Sequence, residues 1–505
     1  MNDKIIFWID SALLHFCLAY FLQKQYDCTS FAIIDVPNKP KKFFESQNLV
    51  NFTKVWYFHD HIKKLNKKPD LKYLADFEKK YNVNLSQLST NERIFYRFND
   101  FYQFSSDEIL LILEQECKLF ENILDEVKPN FFITQLTAFH HHHLFYEMCR
   151  RKEVKVLMLY MSKFGHRCVI SQEVNKLDLT YNLSSIESNN HNFDELLNYF
   201  KSFDIVKQIE NYKKIIGSSN IEKIKAVNTF LFSSGNSTSK SHYTYYGRNK
   251  LNVLIHEIKS LIKKRKRRSF IDKHLLTSLP HDEHFIFYPL HIEQERNLLI
   301  AAPYLTNQIE LIRNIVKSLP IGYKLYVKEH PAQATREWRD INEYKEIMKI
   351  PYVRLFHPLM KSEEFYKKCS FVITIGGTSG LEAAFYKKPS IILSYMDYAI
   401  LPSVEYVKDL TDLPHAIQSS LKKEVNASDL DRFINLYEKN SFDFDFLDFQ
   451  IKYHNHFYYK GNLVDTDIPI SKMRSFLKEN ELTLKMVTEE HIKKIKFFKE
   501  TNLEN

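Results

Sequence analysis

The alternation of short apolar runs with longer segments of helical spacing constrains the fold of this chain more than any other feature. Five runs of strand length, rich in β-branched and aromatic residues, occur in the first half: Ile5–Ile9, Phe31–Val36, Val55–Phe58, Phe131–Thr134 and Val154–Tyr160. Segments with helical spacing, such as Leu13–Gln23 and Ser106–Val127, lie between them. Continuous apolar strands separated by helices are typical of a parallel sheet that is covered on both faces. We therefore predict a doubly wound α/β domain over residues 1–175.

The same alternation returns after a stretch of different character. Residues 176–280 are rich in Asn, Ser and Lys and include helical patterns such as Phe193–Ile215, so we predict a helical insert and connector. Five more strand-length runs follow: Phe285–Leu290, Lys324–Lys328, Val353–Phe356, Phe371–Ile375 and Ser390–Leu393. They predict a second doubly wound domain over residues 281–425, followed by a helical tail over 426–505. Two such domains in tandem place a ligand cleft between the carboxyl ends of both sheets.

The positive charge of the chain is local. Lys and Arg number 71 against 62 Asp and Glu, and the run Lys263–Arg268 supplies six of the nine net charges. A basic surface spread over the fold is not expected, so we predict no nucleic-acid partner. Two interpretations of the run stay open. It forms a solvated linker face, or it attaches the protein to an anionic membrane surface, where each basic residue contributes about 1 kcal/mol.

Cysteines and apolar runs indicate the compartment. The six cysteines are scattered without a C-x-x-C pair, which favours reduced thiols over a disulfide framework or a zinc site. The N-terminus lacks the basic region of a signal peptide, and no run approaches the ~18 apolar residues of a membrane span. These features predict a cytoplasmic location, with peripheral attachment at the inner face of the cytoplasmic membrane under the second interpretation of the basic run.

One glycine-rich turn stands out in a chain that has only nine glycines. It lies between a predicted strand and a predicted helix and consists of Gly376, Gly377, Thr378, Ser379 and Gly380. Glycine allows close backbone approach, and hydroxyls and the helix N-terminus donate hydrogen bonds, so the turn can bind a phosphate. Glu382, in the first helical turn, can reach a ribose hydroxyl. A plain strand-to-helix turn with a Ser/Thr cap is the alternative.

Two further segments follow predicted strands of the second domain. Pro331 blocks continuation of one strand, which leaves Lys328 and His330 at its carboxyl end. A lysine cation and a histidine donor suit a diphosphate or a departing phosphate. His291 and Glu295 follow the first strand of this domain, where they either contact the donor or acceptor or form a capped loop.

Polar side chains at strand ends of the first domain are candidates for the acceptor side: Asp10 and Ser11, Asp35, Gln135 with His140, and Arg167. Asp10 ends the first strand and acts either as a general base or as a helix N-cap. His140 opens the helix after Phe131–Thr134 and is the second candidate base. Arg167 either pairs with the carboxylate of an acidic sugar or lies on the surface. The tract His140–His143 points around a helix rather than to one side, so no metal site is expected.

Three segments in one order carry a family resemblance: PLHIEQE, LPIGYKLYVKEHP and FVITIGGTSGLEAAFYKKPSIIL. They resemble the bacterial capsular-polysaccharide-biosynthesis glycosyltransferases. The Lys-x-His-Pro and Ser/Thr elements are also similar to those of bacterial sialyltransferases and Kdo transferases. The resemblance implies the GT-B fold, in which two Rossmann-like domains face a cleft. It also implies metal-independent, inverting transfer without a cofactor, from a nucleotide-sugar donor to a glycan or lipid-linked glycan acceptor.

The resemblance also implies roles for individual residues. Lys328, His330 and Pro331 would hold the nucleotide end of the donor, with His330 beside the departing phosphate. The phosphate and the ribose would be bound by the glycine-rich turn and the helix after it: Gly377, Thr378, Ser379 and Glu382. A CMP-linked acidic sugar is the favoured donor. A CDP-polyol phosphotransferase of the teichoic-acid type and a non-catalytic polysaccharide-assembly partner are the alternatives.

Overall fold

The structure is a computed structural model that describes residues 2–179, 181–203, 220–232, 242–334 and 339–501. The described chain contains two β sheets flanked by helices, and one large cleft lies between them. The predicted α/β class and GT-B arrangement of two Rossmann-like domains are confirmed.

The first sheet has seven strands: β1 (Asp3–Asp10), β2 (Cys28–Asp35), β3 (Lys54–Tyr57), β4 (Phe131–Gln135), β5 (Lys155–Met161), β6 (Arg167–Ser171) and β13 (Phe442–Asp443). Their order is β13-β6-β5-β4-β1-β2-β3; β6 pairs antiparallel with both β5 and β13, and the other pairs are parallel. Strand β1 shows why its run is apolar throughout: Phe7 is buried in the core on one face and Trp8 in the core on the other.

Helices cover both faces of this sheet. They are α1 (Leu14–Gln25), α2 (Asn38–Ser46), α3 (Phe58–His61), α4 (Leu71–Tyr81), α5 (Leu85–Thr90), α6 (Ser106–Val127) and α7 (His140–Arg151). Helix α6 has the bounds predicted from the sequence. Ser105 and Glu108 form a capping box at its start, and Lys128 adopts a left-handed conformation at its end.

The described residues of the connector include three α helices. They are α8 (Phe193–Ser202), α9 (Asn220–Phe232) and α10 (Lys250–His274). The predicted helix Phe193–Ile215 is described only in its first part, since residues 204–215 lie outside the described residues. The basic run Lys263–Arg268 lies within α10, which leads into the second domain.

The second sheet has six strands: β7 (His284–Pro289), β8 (Tyr323–Lys328), β9 (Val353–Phe356), β10 (Val372–Thr374), β11 (Ser390–Ile392) and β12 (Val404–Tyr406). All are parallel, in the order β12-β11-β10-β7-β8-β9. The helices are α11 (Arg296–Leu299), α12 (Gln308–Lys317), α13 (Ile341–Lys349), α14 (Ser362–Lys368), α15 (Ser379–Phe385) and α16 (Leu413–Ser420).

The tail departs from the sequence prediction. It contains α17 (Ala427–Lys439), α18 (Phe446–Phe457), α19 (Ile470–Glu479) and α20 (Glu481–Thr501). The prediction of an all-helical tail is wrong at β13, which pairs with β6 and so covers the hydrogen-bonding edge of the first sheet. Leu484 and Val487 of α20 share a buried core with Leu14 of α1, so the tail packs back onto the first domain.

Candidate functional site

A cleft of about 1750 Å3 lies between the two domains, at the carboxyl ends of both sheets. On the first-domain side its wall includes Asp10, Asp35 and Gln135, the last residues of β1, β2 and β4. On the second-domain side, Lys328 ends β8 and residues 376–379 follow β10. Both walls are therefore built from strand ends, as the doubly wound topology requires.

All but two of the predicted site residues line this one cleft. They are Asp10, His291, Glu295, Lys328, His330, Pro331, Gly376, Gly377, Thr378, Ser379 and Glu382. His140 and Arg167 do not line it. The structure thus brings the three predicted segments of the second domain together, and the roles assigned to their residues stay predictions.

Lys328 provides a cation in the second-domain wall. The residue is 2% exposed, and its ammonium group has no hydrogen bond or salt bridge within the described residues. Burial lowers the pKa of Lys328 to about 8, although the nearby carboxylates of Glu329 and Glu382 raise it. A buried ammonium without a bonded partner favours binding of an anion such as a phosphate.

The glycine-rich turn is constrained by its neighbours. A Cβ atom on Gly377 would lie 2.9 Å from Cε1 of His291 and 3.1 Å from Oγ1 of Thr374. The hydroxyl of Tyr398 donates to the carbonyl of Gly377 at 2.5 Å and fixes the turn. A side chain at position 377 would therefore clash, so glycine is required there. The turn, which includes Ser379, is a fixed part of the cleft wall.

Both carboxylate oxygens of Glu382 are engaged by neighbouring hydroxyls. The hydroxyl of Thr378 donates to Oε1 at 2.6 Å, and that of Tyr366 donates to Oε2 at 2.9 Å. These bonds fix the carboxylate at the edge of the cleft. The ribose contact predicted for Glu382 would use the remaining lone pairs of these oxygens.

His291 holds the turn in place while lining the cleft. Its Nε2 accepts the backbone N–H of Ile375 at 3.2 Å and lies 3.0 Å from the hydroxyl of Thr374. A ring nitrogen that accepts an N–H is unprotonated, so Nδ1 carries the proton. Burial lowers the pKa of His291 to about 3, which keeps the ring neutral.

His330 is oriented by a buried ion pair that sequence reasoning did not find. The carboxylate of Glu329 accepts the backbone N–H of His330 at 2.7 Å and the Nε of Arg339 at 2.8 Å. Both Glu329 and Arg339 are buried. The backbone N–H of Ala332 donates to Nδ1 of His330, which places the proton of the neutral ring on Nε2.

Asp10 is the titratable group of interest in the first-domain wall. Burial raises the pKa of Asp10 to about 7, and the neighbouring Asp35 adds to the increase. Its Oδ1 accepts the backbone N–H of Ala12 at 2.9 Å, and Gln135 donates to its other oxygen. The N-cap interpretation of Asp10 is wrong: helix α1 follows Leu13, and no side chain caps it.

Asp35 occupies the equivalent position on the next strand, but its environment is opposite. Its two oxygens lie 2.8 Å from Nε2 of His59 and 2.9 Å from Nε2 of His141. Although burial raises the pKa of Asp35, the imidazoles of His141 and His59 hold it well below its usual range. Asp35 is therefore ionised at neutral pH and holds two histidines at the cleft.

The prediction that His140 faces the cleft is wrong. His140 is buried behind the wall, with Nδ1 2.9 Å from Glu92 and Nε2 3.1 Å from Glu116. Burial lowers its pKa, but the two carboxylates outweigh that effect and raise it to about 10. An imidazolium whose nitrogens both bond carboxylates cannot accept a proton from an acceptor. The next residues of the tract, His141 and His142, line the cleft instead.

Arg167 is also not a cleft residue. Its guanidinium bonds Oγ of Ser441 at 2.8 Å, Asp443 at 2.5 Å and the carbonyl of Glu438 at 3.1 Å. These partners belong to the tail, which reaches β6 at this point. Arg167 therefore fastens the tail to the first sheet, and its predicted contact with an acidic sugar is wrong.

The tail and the connector also supply cleft residues that the sequence reading missed. They are Phe200, Lys201, His242, Thr244, Tyr245, Phe446, Gln450, Tyr453, His454, Tyr458 and Val464. The aromatic composition of the tail was the one signal available, and it gave no indication of where these rings would lie. Their positions depend on the return of the tail to the first domain.

One group of side chains has a geometry suited to a metal ion. Among the described residues, Glu116, His140 and His141 place three ligand atoms within 4.8 Å of one another. Glu116 and His140 bond each other behind the first-domain wall, and His141 alone of the three lines the cleft. The group belongs to the first-domain side of the cleft, whereas Lys328 belongs to the second-domain side.

A family model described as "Capsule polysaccharide biosynthesis protein" matches residues 177–430, just over half of the chain. The chain therefore belongs to this family, as its three segments predicted. No curated protein sequence matches the chain. Among the described residues, no helix combines the length and apolar composition that a membrane span requires.

Solved structures give distant matches only. The UDP-GlcNAc 2-epimerase of Methanocaldococcus jannaschii is 13% identical, covers 87% of this chain and 100% of its own, and has a TM-score of 0.25. Two Thermosulfurimonas dismutans KpsC structures, a beta Kdo 2,7 transferase and a beta Kdo 2,4 transferase, are each 11% identical. They cover 66% and 61% of this chain and 81% and 79% of their own, with TM-scores of 0.29 and 0.27. Likenesses this weak add nothing to the interpretation of the cleft.

Proposed function

We propose that this protein is a metal-independent, inverting glycosyltransferase of bacterial capsular polysaccharide synthesis. It transfers a sugar from a nucleotide-sugar donor, with a CMP-linked acidic sugar favoured, to a glycan acceptor. Membership of the capsule polysaccharide biosynthesis family supports the pathway. The observation that carries the reaction is the pairing, across one cleft, of Asp10 with Lys328: a carboxyl group that titrates near neutrality faces a buried cation.

Asp10 acts as the general base. A carboxyl group with a pKa of about 7 is partly ionised at neutral pH and is basic enough to take a proton from an acceptor hydroxyl. The hydroxyl oxygen then attacks the anomeric carbon as the bond from that carbon to the donor phosphate breaks. Attack from the face opposite the phosphate inverts the anomeric configuration. The bonds from Ala12 and Gln135 hold the carboxylate in a fixed orientation.

The second-domain wall stabilises the departing nucleotide. Charge develops on the phosphate as the bond breaks, and Lys328 offers an ammonium group that no side chain of the described residues bonds. The hydroxyl of Ser379 and the protonated Nε2 of His330 supply neutral hydrogen bonds beside it. Binding of the anionic phosphate raises the pKa of Lys328 above that in the empty cleft and so keeps its charge.

The choice of donor rests on the resemblance of Lys328-x-His330-Pro331 to the motif of Kdo transferases and sialyltransferases. A cytidine monophosphate leaving group needs one phosphate site, and Lys328 beside the glycine-rich turn would supply its cation. The predicted attraction of Lys263–Arg268 to anionic lipid belongs to this proposal as well, since a lipid-linked glycan acceptor would then be close to the cleft.

The test is donor consumption by the purified full chain. CMP-Kdo, CMP-sialic acid and CDP-glycerol are supplied in turn, and released CMP is measured together with thermal stabilisation by CMP, CDP, UDP and GDP. We expect CMP release from a CMP-linked acidic sugar, with an inverted product. The Lys328→Met variant should no longer release CMP. The Lys324→Met variant, a matched change on the same strand, should still release it.

Each other outcome identifies a different protein. Release of CMP from CDP-glycerol alone would overturn the proposal in favour of a polyol phosphotransferase, in which the acceptor attacks phosphorus. No stabilisation by any nucleotide would indicate a non-catalytic assembly partner. Stabilisation by UDP or GDP alone would keep the glycosyltransferase and overturn the choice of donor.

A further inference from the structure

Helix α10 carries a row of apolar side chains that point away from the protein. These residues, called here the apolar stripe, are each between 36% and 66% exposed: Leu251, Leu254, Ile255, Ile258, Leu261 and Ile262. Single exposed apolar residues are ordinary on a protein surface, but a contiguous set of six on one helix marks an interaction surface.

The spacing of the stripe shows that it is not a core face. At 3.6 residues per turn, its six side chains span roughly 120° of the helix circumference. The buried residues Ser260, Arg267 and Ile271 lie on the opposite side. The helix therefore has one face for the protein and a second apolar face for a partner.

The helix is fastened at both ends, so the stripe has a defined orientation. Near its start, His256 lies 3.2 Å from Asp100 of the first domain. Near its end, Arg267 donates to the carbonyl of Gln333 at 2.8 Å, and Phe270 stacks with Tyr344. Gln333 lies three residues after His330, so α10 runs close to the wall that lines the cleft.

The charge beside the stripe identifies the partner. Lys259, Lys263, Arg265 and Lys266 are exposed, and none of them has a salt bridge within the described residues. A second copy of this chain would bring two such rows of cations together, which is unfavourable. An anionic lipid bilayer satisfies both features, because its interface accepts apolar side chains and its headgroups attract lysine and arginine.

We propose that α10 lies in the plane of an anionic membrane surface, with the apolar stripe inserted at the headgroup boundary and the basic residues among the headgroups. This goes beyond the attraction predicted for the basic run, because the stripe contributes apolar burial that salt does not screen. It does not depend on the chemistry of the cleft. Docking through α10 would place the second-domain wall near the membrane, where a lipid-linked glycan is held.

The experiment is co-sedimentation of the full chain with vesicles of phosphatidylcholine, alone or mixed with the anionic lipid phosphatidylglycerol. Two variants test the surface. The stripe variant carries Leu251→Ser, Ile258→Ser and Leu261→Ser. The basic variant carries Lys263→Gln, Arg265→Gln and Lys266→Gln.

Two matched controls carry the same changes on exposed residues elsewhere. The apolar control carries Tyr304→Ser, Ile321→Ser and Leu482→Ser, all more than 80% exposed. The basic control carries Lys68→Gln, Lys72→Gln and Lys79→Gln, which are exposed on or beside α4. Thermal melting checks that each variant folds, and stabilisation by nucleotide checks the cleft separately.

We expect binding to the anionic vesicles and little binding to phosphatidylcholine. The basic variant should bind roughly 100-fold more weakly, since each basic residue contributes about a factor of five. The affinity of the stripe variant for anionic vesicles should fall at least tenfold, and none of its remaining binding should resist added salt. Both controls should bind like the natural chain. Absence of vesicle binding, or equal loss in the controls, overturns the proposal. A dimer that dissociates in the stripe variant would identify a second copy as the partner.

Discussion

The two walls of the cleft are built in opposite ways. The second-domain wall is built largely from short segments at the ends of parallel strands, among them 290–292, 328–331 and 376–382. The first-domain wall is assembled from remote parts of the chain, with His141, His242 and Tyr458 brought together from a helix, the connector and the tail. A ligand site built from consecutive residues is visible in a sequence, and one built by packing is not.

The walls also differ in how their charges are compensated. Burial lowers the pKa of Lys328 to about 8, and its ammonium group has no bonded partner in the part of the chain that the structure describes. Asp10 and Asp35 are register partners on neighbouring strands, yet burial raises the pKa of one to about 7 while two imidazoles lower that of the other. Environments that separate the pKa values of two like groups are typical of sites that divide acid–base roles.

The largest expected effect separates these two carboxylates. Asp10→Asn should lower turnover by ~100-fold or more with donor affinity intact, since it removes the general base. Asp35→Asn is the matched change on the next strand and should lower turnover by no more than ~10-fold, because Asp35 positions histidines. Steady-state kinetics and direct donor binding provide the readouts. Full turnover in Asp10→Asn would place the base elsewhere.

The next effect concerns His140, behind the first-domain wall. His140→Ala leaves Glu92 and Glu116 buried without their cation and should cost about 3–5 kcal/mol of unfolding free energy. The pKa of His140 is raised to about 10, so its contribution is complete below about 6.5 and fades as pH rises toward 10. Denaturant unfolding of the natural chain and the variant at pH 6 and pH 9.5 measures the loss of unfolding free energy and its dependence on pH.

His143→Ala, on the same helix, is the control and should cost about 1 kcal/mol, the typical contribution of one hydrogen bond. A stable His140→Ala protein with turnover reduced ~100-fold would restore His140 as a catalytic base and contradict its burial between two carboxylates.

Lys328 tests the opposite wall. Lys328→Met should weaken nucleotide affinity by roughly 10- to 100-fold, since a charge-assisted bond to phosphate contributes about 1.5–3 kcal/mol. Unfolding should become no easier, because the substitution removes a buried unpaired charge. Isothermal titration with CMP, with Lys324→Met as the control, gives the comparison. Unchanged affinity would move the phosphate site away from β8.

The dependence of kcat/KM on pH should report one titrating group from each wall of the cleft. Below about pH 7, kcat/KM should fall because Asp10 is protonated, and above about pH 8 it should fall because Lys328 loses its charge in the free enzyme. A kcat/KM profile that is flat between pH 6 and 9 would contradict both assignments.

The same titration of Asp10 affects stability. The pKa of Asp10 in the folded protein lies above its value in the unfolded chain, so its contribution to stability is lost as pH rises from about 4 to about 7. Asp10→Asn should therefore raise Tm at pH 8 and leave Tm unchanged at pH 3.

The smallest expected effect is that of chelation. Activity should be unchanged by EDTA and by added magnesium or manganese, since Lys328 and the glycine-rich turn already compensate phosphate charge. Loss on chelation with recovery on adding metal would refute this expectation. Glu116→Gln would then show whether the Glu116–His140–His141 group holds the ion.

Much of the second domain could be predicted, and much of the first-domain wall could not. Strand runs such as Phe131–Thr134 are recognisable because burial on both faces requires continuous apolar residues. His140 was misplaced because the rotation of the helix decides which residue of a histidine tract faces the cleft. Four identical consecutive residues give no pattern from which that rotation can be predicted. Arg167 was misplaced because its partners lie about 270 residues further along the chain.

The sequence by itself determined the two doubly wound domains and the residues at the ends of β8 and β10, because hydrophobic periodicity and glycine placement are local physical constraints. Tertiary structure alone decided that Asp10 rather than His140 titrates at the cleft, that Arg167 fastens the tail, and that α10 turns an apolar face outward. Each of these depends on burial and on charges supplied by distant segments. Desolvation and ion pairing act through space, so the order of residues along the chain does not encode them directly.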